Sequence, residues 1–330
     1  MNHDIASLGR RVLDGGVLNR EELQQLADSA SSNPFDLMYW AYRVREKHFS
    51  NAVRFCSIIP GKSGACSEDC KWCAQSAACS DGMPLSRTPM EDIHAAAARA
   101  DERGATCFGI VNSGRHPSSR DVADAIAAAG EMRRRHPELG LCASLGELTP
   151  QQARQLASGG VKRYNHNLES SRRFYATVVT SHAYDDRIAT LQAASAAGMQ
   201  LCCGGIFGLG ESWADRIDLA LTLRSEIRPA VAPLNFLHPV PGTPLQDRPR
   251  MEPLEILTII ALFRLAMPTI DLKVAGGREM NLRDMQSWIF YAGATSVIIG
   301  NYLTTTGQPV ERDMQMLADM GLRVVRGLNS

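Results

Sequence analysis

Cys66-Ser67-Glu68-Asp69-Cys70-Lys71-Trp72-Cys73 is a short polar stretch that comes shortly after the apolar run Val53–Ile59. Its cysteines have the spacing C-x3-C-x2-C, and thiolates are soft ligands that suit zinc and iron–sulfur clusters. A structural zinc site needs four ligands, and no further C-x2-C or H-x3-H pair lies nearby. Three cysteines can hold three irons of a [4Fe–4S] cluster and leave the fourth iron open. Because an odd set this close together is a poor disulfide framework, the stretch predicts a reactive iron–sulfur cluster.

Short apolar runs alternate with stretches of helical period along the rest of the chain. We predict strands at Val53–Ile59, Thr106–Asn112, Leu141–Leu145, Arg163–Asn167, Gln200–Phe207, Val231–Leu237, Ile270–Val274 and Val297–Ile299. Eight strands, each followed by a helix, predict an α/β fold, a (β/α)8 barrel of the TIM type. A doubly wound open sheet is the alternative, but no G-x-G-x-x-G follows the first strand. In such a barrel the cysteine stretch leaves the first strand at the end where active sites lie.

The first 50 residues predict helices. Asn19 is a candidate N-cap, and Pro34 opens a second helix. We expect this helical N-terminal extension, residues 1–50, to cover one end of a barrel formed by residues 51–322. Two later helices begin with a threonine before a proline, at Thr88-Pro89-Met90-Glu91 and at Thr149-Pro150-Gln151-Gln152. No linker divides the chain, so we predict a single domain over residues 1–330.

Composition excludes several classes of function. The 330 residues are 45% hydrophobic, which is enough for a large core, and 35 basic residues balance 35 acidic ones. Neither a basic field for nucleic acid nor a polybasic block for a membrane surface is present in the sequence. The sequence start has no signal-peptide core. Nine cysteines without an export signal predict a cytoplasmic protein whose thiols serve metals or catalysis.

The cysteine stretch also carries a family resemblance. With Trp72 in the aromatic slot, C-x3-C-x-aromatic-C resembles the signature of radical S-adenosylmethionine (SAM) enzymes, in which Cys66, Cys70 and Cys73 hold the [4Fe–4S] cluster and SAM binds beside them. The longer stretch Ser63–Ser76 resembles the biotin synthase family, and the resemblance continues to about Leu322. It implies sulfur insertion into dethiobiotin by a SAM-derived radical, an electron donor of the flavodoxin or ferredoxin type, and a homodimer.

The same resemblance implies a SAM site that includes Trp72. Gly205 and Ile206 match a glycine-rich word whose backbone contacts the adenine, and Glu169 matches the residue that binds the ribose. Asn167 matches a contact to both SAM and substrate. Arg187 matches the arginine that holds the SAM carboxylate, although an exposed helical arginine is the ordinary alternative. By strand alternation Asn165 and Asn167 share one face, which Glu169 continues if the extension persists.

Substrate contacts are implied at two further places. Asn167 and Asn235 match a pair of asparagines that bind the ureido ring of dethiobiotin. A carboxamide both donates and accepts hydrogen bonds, as a urea requires. Leu303-Thr304-Thr305 resembles a loop that binds the carboxylate tail through Thr304, Thr305 and backbone N–H groups.

One part of the family pattern is altered. Biotin synthases hold an auxiliary [2Fe–2S] cluster, the sulfur source, through three cysteines and an arginine, and Cys107, Cys142 and Cys202 match the cysteines. Lys273 stands at the arginine position, and a lysine lacks the planar guanidinium fork. We predict an altered auxiliary iron–sulfur cluster, [2Fe–2S] or larger, with a further ligand from Cys56 or Cys203. Free cysteines on apolar strands are often only small buried hydrophobes.

Adjacent strand residues point to opposite faces, so Cys202 and Cys203 cannot both face inward without a bulge. Cys79 follows the cysteine stretch and is interpreted as a bystander.

Two other functions stay open from the sequence. The first is another radical SAM enzyme on the same scaffold, such as a hydrogenase-cofactor maturase or a methylornithine synthase. The second is a zinc-stabilised binding domain.

Overall fold

A computed structural model describes residues 1–79 and 82–327 of the chain. Its strands are β1 Ala52–Ser63, β2 Ser86–Arg87, β3 Cys107–Asn112, β4 Gly140–Ser144, β5 Arg163–Asn165, β6 Gln200–Cys202, β7 Gly205–Phe207, β8 Val231–Phe236, β9 Asp271–Val274, β10 Ser296–Ile298 and β11 Arg323–Val324. Most residues of β3, β4, β8, β9 and β10 are buried, as expected for strands that are covered on both faces.

The strands close into a parallel barrel. They are ordered β10-β9-β8-β6-β5-β4-β3-β1, and β10 also pairs with β1, so the sheet has no open ends there. β6 and β7 are two pieces of one strand, interrupted at Cys203 and Gly204, and together they complete eight strand positions. β2 pairs antiparallel with the far end of β1, and β11 pairs with its beginning. The predicted (β/α)8 class is therefore confirmed.

Helices surround the barrel. They are α1 His3–Leu13, α2 Arg20–Ala30, α3 Pro34–Phe49, α4 Met90–Glu102, α5 Ser119–Arg135, α6 Pro150–Ser158, α7 Arg172–Tyr175, α8 Tyr184–Ala196, α9 Trp213–Thr222, α10 Pro253–Ala266, α11 Arg278–Leu282, α12 Trp288–Tyr291 and α13 Val310–Asp319. A π-helical turn at Leu223–Ile227 and a 3-10 turn at Arg283–Met285 complete the set. Among the described helices, none has the length and apolarity needed to cross a bilayer.

The N-terminal helices lie against the outside of the barrel and near its amino end. α3 packs on α10, and α2 packs on α9 and α10. α10 is apolar on nearly all sides, and a helix of that kind must be covered on its outer face as well. Arg45 of α3 donates hydrogen bonds to the carbonyls of Ala52 and Ala294, at the starts of two barrel strands. The extension thus lies away from the end where the cysteine stretch leaves β1.

Most predicted boundaries agree with the structure within one or two residues, but two expectations need correction. β1 continues four residues beyond the predicted end, to Ser63. Thr88 is not a helix cap, because its hydroxyl donates to the carbonyl of Pro60 and Pro89 stands at the cap position of α4. Asn19 and Thr149 do form the expected caps, each with a capping box.

Candidate active site

The cysteine loop, residues 64–79, begins where β1 passes the rim of the barrel. The end of β1 is anchored by Lys62, whose ammonium lies 3.0 Å from the buried carboxylate of Asp121. The chain then turns sharply at Gly64 (φ 74°), where a Cβ would lie 2.2 Å from the carbonyl oxygen of Pro84. The side chain of Gln75 accepts a hydrogen bond from the Gly64 N–H and so closes the loop on itself.

Residues between the cysteines dock onto the segment 177–182, which precedes α8. The Asp69 carboxylate accepts hydrogen bonds from the N–H groups of Thr180 and Ser181, at 2.9 and 3.1 Å. These bonds outweigh the effect of burial and lower the pKa of Asp69. The Lys71 N–H donates to the Val178 carbonyl at 3.1 Å. The residues between the cysteines therefore fix the loop in the fold, which leaves the thiols for another task.

The three loop thiols are free and half-buried. Burial raises the pKa of Cys70, with the neighbouring Cys73 and Cys66 adding to the increase and Arg187 opposing it. A cationic metal centre at this position would stabilise the thiolate form of such buried cysteines. Within residues 1–79 and 82–327, no three His, Cys, Asp or Glu side chains converge on a single ion. Since the ligands of a four-iron cluster bind separate irons, the donor set fits such a cluster.

Glu169 lies in the left-handed region (φ 68°), a conformation that costs about 1–3 kcal/mol in a non-glycine residue. The predicted extension does not persist, because β5 ends at Asn165. Instead Glu169 makes an isolated bridge to Gly205, and its carbonyl accepts the Ile206 N–H at 2.8 Å. The pieces of chain that the resemblance assigns to SAM are therefore in direct contact, and backbone strain is concentrated at their junction.

Arg187 is buried, which corrects the alternative of an exposed helical arginine. Its Nη1 donates to the carbonyl of Asn167 at 2.8 Å and lies 3.8 Å from the Glu169 carboxylate. Burial raises the pKa of Glu169, and the guanidinium opposes that increase. The predicted SAM residues Asn167, Glu169 and Arg187 are thus brought together on one side of the barrel mouth.

The glycines of this region are required by protein contacts. A Cβ at Gly204 would lie 1.9 Å from the Pro233 carbonyl oxygen, and one at Gly205 would lie 2.7 Å from the Glu169 carbonyl oxygen. Protein packing therefore already requires glycine at both positions, and the predicted approach of their backbone to a flat ligand stays a prediction. The strand formed by β6 and β7 packs so closely on its neighbours that neither position has room for a side chain.

Two adjoining cavities, which share several lining residues, lie between the cysteine loop and the barrel interior. The outer cavity is lined by residues that include Trp72, Cys73, Ile206, Thr304 and Thr305. The inner cavity is lined by residues that include Cys56, Cys142, Cys202, Arg187 and Lys273. Both cavities share Asn167, Glu169 and Asn235. The two asparagines therefore lie at the level where the mouth opens into the barrel interior.

Each shared asparagine also has a backbone partner. Asn235 donates to the Gly205 carbonyl at 3.1 Å and accepts from the Gly276 N–H at 3.0 Å. Asn167 accepts from the Gly204 N–H at 3.1 Å. These bonds orient both amides toward fixed positions, as a site that reads hydrogen-bonding groups needs.

The floor set, defined as Cys56, Cys107, Cys142, Cys202 and Lys273, lies deep in the barrel. Cys56, Cys107 and Cys142 form a small buried group with Ala275 and Ile298, separate from the main core. The Lys273 ammonium donates to the sulfurs of Cys56 at 3.6 Å and Cys202 at 3.5 Å. Burial raises the pKa of Cys202, and the neighbouring Lys273 opposes that effect.

Cys107 and Cys142 lie on adjacent strands with Cα atoms 6.6 Å apart, and their sulfur atoms are in contact. The position of Cys203 does not suit a ligand of the floor cluster, which corrects the prediction that named it as a candidate. It belongs to the main core outside the barrel interior, whereas its neighbour Cys202 lines the inner cavity. The strand alternates as expected, so only one of this pair can face inward.

Several polar side chains of the site were not predicted from the sequence. His166 is buried beside the inner cavity, and its Nε2 has no hydrogen-bond partner within the described residues. Burial and the Arg187 charge lower its pKa well below the usual value. Tyr175 contacts His182 and Arg187, and His182 also contacts Glu68 of the cysteine loop. Neither has a sequence spacing that indicates a site, because their contacts depend on how α7 and the segment before α8 fold against the cysteine loop.

Comparisons with known proteins were made on both sequence and fold. The sequence model of the Radical SAM superfamily matches residues 62–223, and that of the Biotin and Thiamin Synthesis associated domain matches residues 233–323. The biotin synthase of Geobacter metallireducens is 45% identical over 98% of both chains. The biotin synthase of Heliobacterium modesticaldum is 48% identical over 94% of this chain and 95% of its own.

Solved structures with the same architecture are more distant in sequence. Methylornithine synthase (PylB) superposes with a TM-score of 0.84 over 97% of both chains, at 20% identity. HydG, a maturase of the [FeFe]-hydrogenase, gives a TM-score of 0.83 over 97% of this chain and 76% of its own, at 13% identity. At such identities the likeness establishes the fold alone.

Proposed function

The chain belongs to the biotin synthase family of radical SAM enzymes, and from this membership we propose that it converts dethiobiotin to biotin as a sulfurtransferase, with sulfur taken from an auxiliary iron–sulfur cluster. The observation that carries the proposal is the pair of adjoining cavities. Between them they are lined by residues of the cysteine loop, by the two asparagines and by members of the floor set. A radical source, a substrate and a sulfur source are needed in that spatial order.

Cys66, Cys70 and Cys73 would hold a [4Fe–4S] cluster. When bound there, the cluster and SAM supply a carbon radical that can remove hydrogen from an unactivated C–H bond. The protein's part is to orient and exclude water. Glu68, Asp69 and Lys71 hold the loop against the segment 177–182, so the thiols keep fixed positions relative to Arg187.

Arg187 binds the SAM carboxylate, and Glu169 binds the ribose. Their proximity supports this assignment, since the guanidinium and the carboxylate face the same cavity. Backbone at Gly205 and Ile206, together with Trp72, receives the adenine. The bond from the Ile206 N–H to the Glu169 carbonyl holds the ribose and adenine contacts in register.

Asn167 and Asn235 bind the ureido ring of dethiobiotin, and Thr304 and Thr305 bind its carboxylate tail. The amides lie between the two cavities, whereas the threonines line the outer one. This arrangement directs the ring toward the floor and the tail toward the opening. The carbon atoms that react then lie between the SAM site and the floor sulfurs.

Cys56, Cys107, Cys142 and Cys202 bind the auxiliary cluster. Cys56 replaces the arginine of the family pattern as fourth ligand, because it lies in one buried group with Cys107 and Cys142. Four thiolates form the usual ligand set of a cluster larger than [2Fe–2S], although [2Fe–2S] also accepts four. Lys273 is a hydrogen-bond donor to two of these sulfurs rather than a ligand.

Other properties remain predictions from the family. They are a flavodoxin or ferredoxin electron donor, a homodimer, a cytoplasmic location, and one domain that includes the helical extension. The buried interface between α3 and α10 supports the last of these.

The deciding experiment uses anaerobic protein reconstituted with iron and ³⁴S-sulfide, then given SAM, reductant and dethiobiotin. We expect biotin that carries ³⁴S in its ring. Formation of 5′-deoxyadenosine without biotin would instead favour another radical SAM reaction on this scaffold. Colourless protein that purifies with one zinc and no iron would favour the zinc-stabilised domain. A reaction without dethiobiotin is the control for uncoupled SAM cleavage.

A further inference from the structure

A buried chain of hydrogen bonds joins the cysteine loop to Arg187. Glu68, between two loop cysteines, has its Oε2 2.5 Å from His182 Nδ1. His182 Nε2 lies 2.7 Å from the Tyr175 hydroxyl, which accepts a hydrogen bond from Arg187 Nε at 2.5 Å. All four side chains are at most 9% exposed. Hydrogen bonds of this kind are strengthened where water is excluded.

The proton positions along this chain have one consistent arrangement. An arginine Nε–H can only donate, so the Tyr175 oxygen accepts and its own proton points to His182 Nε2. The other imidazole nitrogen then carries the proton and donates to Glu68. Each group therefore has a partner of the correct type, and the chain transmits orientation from the loop to the guanidinium.

The geometry points to Tyr175 and His182 as positioning residues that set the orientation of Arg187 relative to the cysteine loop. Arg187 is then held at two places, by Tyr175 at Nε and by the Asn167 carbonyl at Nη1. This inference rests on the proposed function, since it concerns the distance between the loop cluster and the SAM carboxylate. SAM must reach both at once, so a guanidinium free to rotate binds it less well.

A neighbouring tyrosine provides a control that distinguishes the positioning of Arg187 from the packing of the tyrosine ring. Tyr184 is buried, and its ring packs against that of Tyr175 with centroids 5.5 Å apart. Its hydroxyl takes no part in the hydrogen bonds that join the cysteine loop to Arg187. Tyr184→Phe therefore removes the same atom from the same region without touching the chain of hydrogen bonds.

The test compares wild type, Tyr175→Phe, His182→Ala, the double variant and Tyr184→Phe, each as anaerobic holoenzyme. The Kd for SAM is measured from the change that SAM causes in the EPR spectrum of the reduced loop cluster, alongside iron content and Tm. We expect Tyr175→Phe to raise Kd about tenfold, as loss of an outer hydrogen-bond partner typically does. Iron content and Tm should match those of Tyr184→Phe, whose Kd stays at the wild-type value.

The double variant should raise Kd by less than the product of the two single effects, because both substitutions break one chain. The inference is overturned if Tyr175→Phe binds SAM as Tyr184→Phe does, or if its weaker binding is matched by an equal loss of loop iron. Biotin formation by the wild type tests the proposed function separately. A wild type that binds SAM but forms no biotin overturns that function and leaves the Kd comparison standing.

Discussion

The cysteine loop and the floor set both gather thiols, but they are built in opposite ways. The loop takes its three thiols from one stretch of eight residues, whereas the floor set draws on five barrel strands. Loop thiols are half-buried at the mouth, and floor thiols are buried in the interior. Local spacing is enough to specify the first group. The second exists only because strand register brings distant residues to one level.

Loss of one loop ligand is expected to have the largest effect. Cys70→Ala should abolish both 5′-deoxyadenosine and biotin formation, because the loop cluster loses one of three protein ligands. The floor cluster should remain, since its ligands lie on other strands. Product analysis with iron counts and Mössbauer spectra checks this. Concurrent loss of the floor cluster would show that the two regions are not independently built.

A matched pair of cysteines tests the floor. Cys56→Ala should lower floor iron and stop biotin formation, while 5′-deoxyadenosine formation continues at the loop. Cys203→Ala should leave both clusters intact and cost about 1 kcal/mol of stability, the size of a small core cavity. Mössbauer spectroscopy, product ratios and urea unfolding distinguish the two variants. Equal iron content in both would remove Cys56 from the ligand set.

Lys273 should have a smaller effect than the floor thiols. Lys273→Met removes the donor to Cys56 and Cys202, and we expect biotin formation to slow about tenfold with iron retained. Lys162→Met, which changes an exposed lysine, is the matched control and should act as wild type. Single-turnover rates check this. Loss of floor iron in Lys273→Met would make the lysine itself necessary for cluster binding.

The smallest effect concerns the anchor of β1. Burial would raise the pKa of Asp121, but hydrogen bonds from Ser118 and the Lys62 charge lower it to about 2, below its ordinary 3.8. Because the folded-state pKa is the lower one, this stabilisation is present above pH 3.8 and is lost as pH falls toward 2. Asp121→Asn should therefore cost about 1–2 kcal/mol at pH 7 and less near pH 3.

Urea unfolding at both pH values measures this difference. Asp124→Asn is the control, since that carboxylate is 43% exposed and its ion pair with Arg87 is worth little. A cost for Asp121→Asn that does not fall at the lower pH would assign the stabilisation to packing rather than charge.

Much of this molecule could be predicted from sequence. Alternating apolar runs located all eight barrel strand positions, and the relatives confirm the family that the cysteine stretch indicated. Failures occurred where distant chain segments decide the outcome. The left-handed backbone of Glu169 results from its bridge to Gly205, and Thr88 is drawn from a cap position to β1.

Contacts between distant chain segments also explain why the sequence did not indicate some residues of the site. His182 contacts both Tyr175 and Glu68, because the segment that precedes α8 lies against the cysteine loop, and no residue spacing indicates these contacts. Cys202 and Cys203 illustrate the intermediate case. Alternation predicted that only one could face inward, but the choice between them depended on where the strand is interrupted.

The length of β1 sets the distance between the floor set and the cysteine loop. Cys56 lies near the start of β1 and Cys66 follows its end, so one continuous segment carries both sulfur-rich regions. Removing a single residue between them would shorten that segment by about 3.3 Å and reverse which side chains face the interior. The positions of the two sulfur-rich regions relative to each other therefore depend on the number of residues in this one strand.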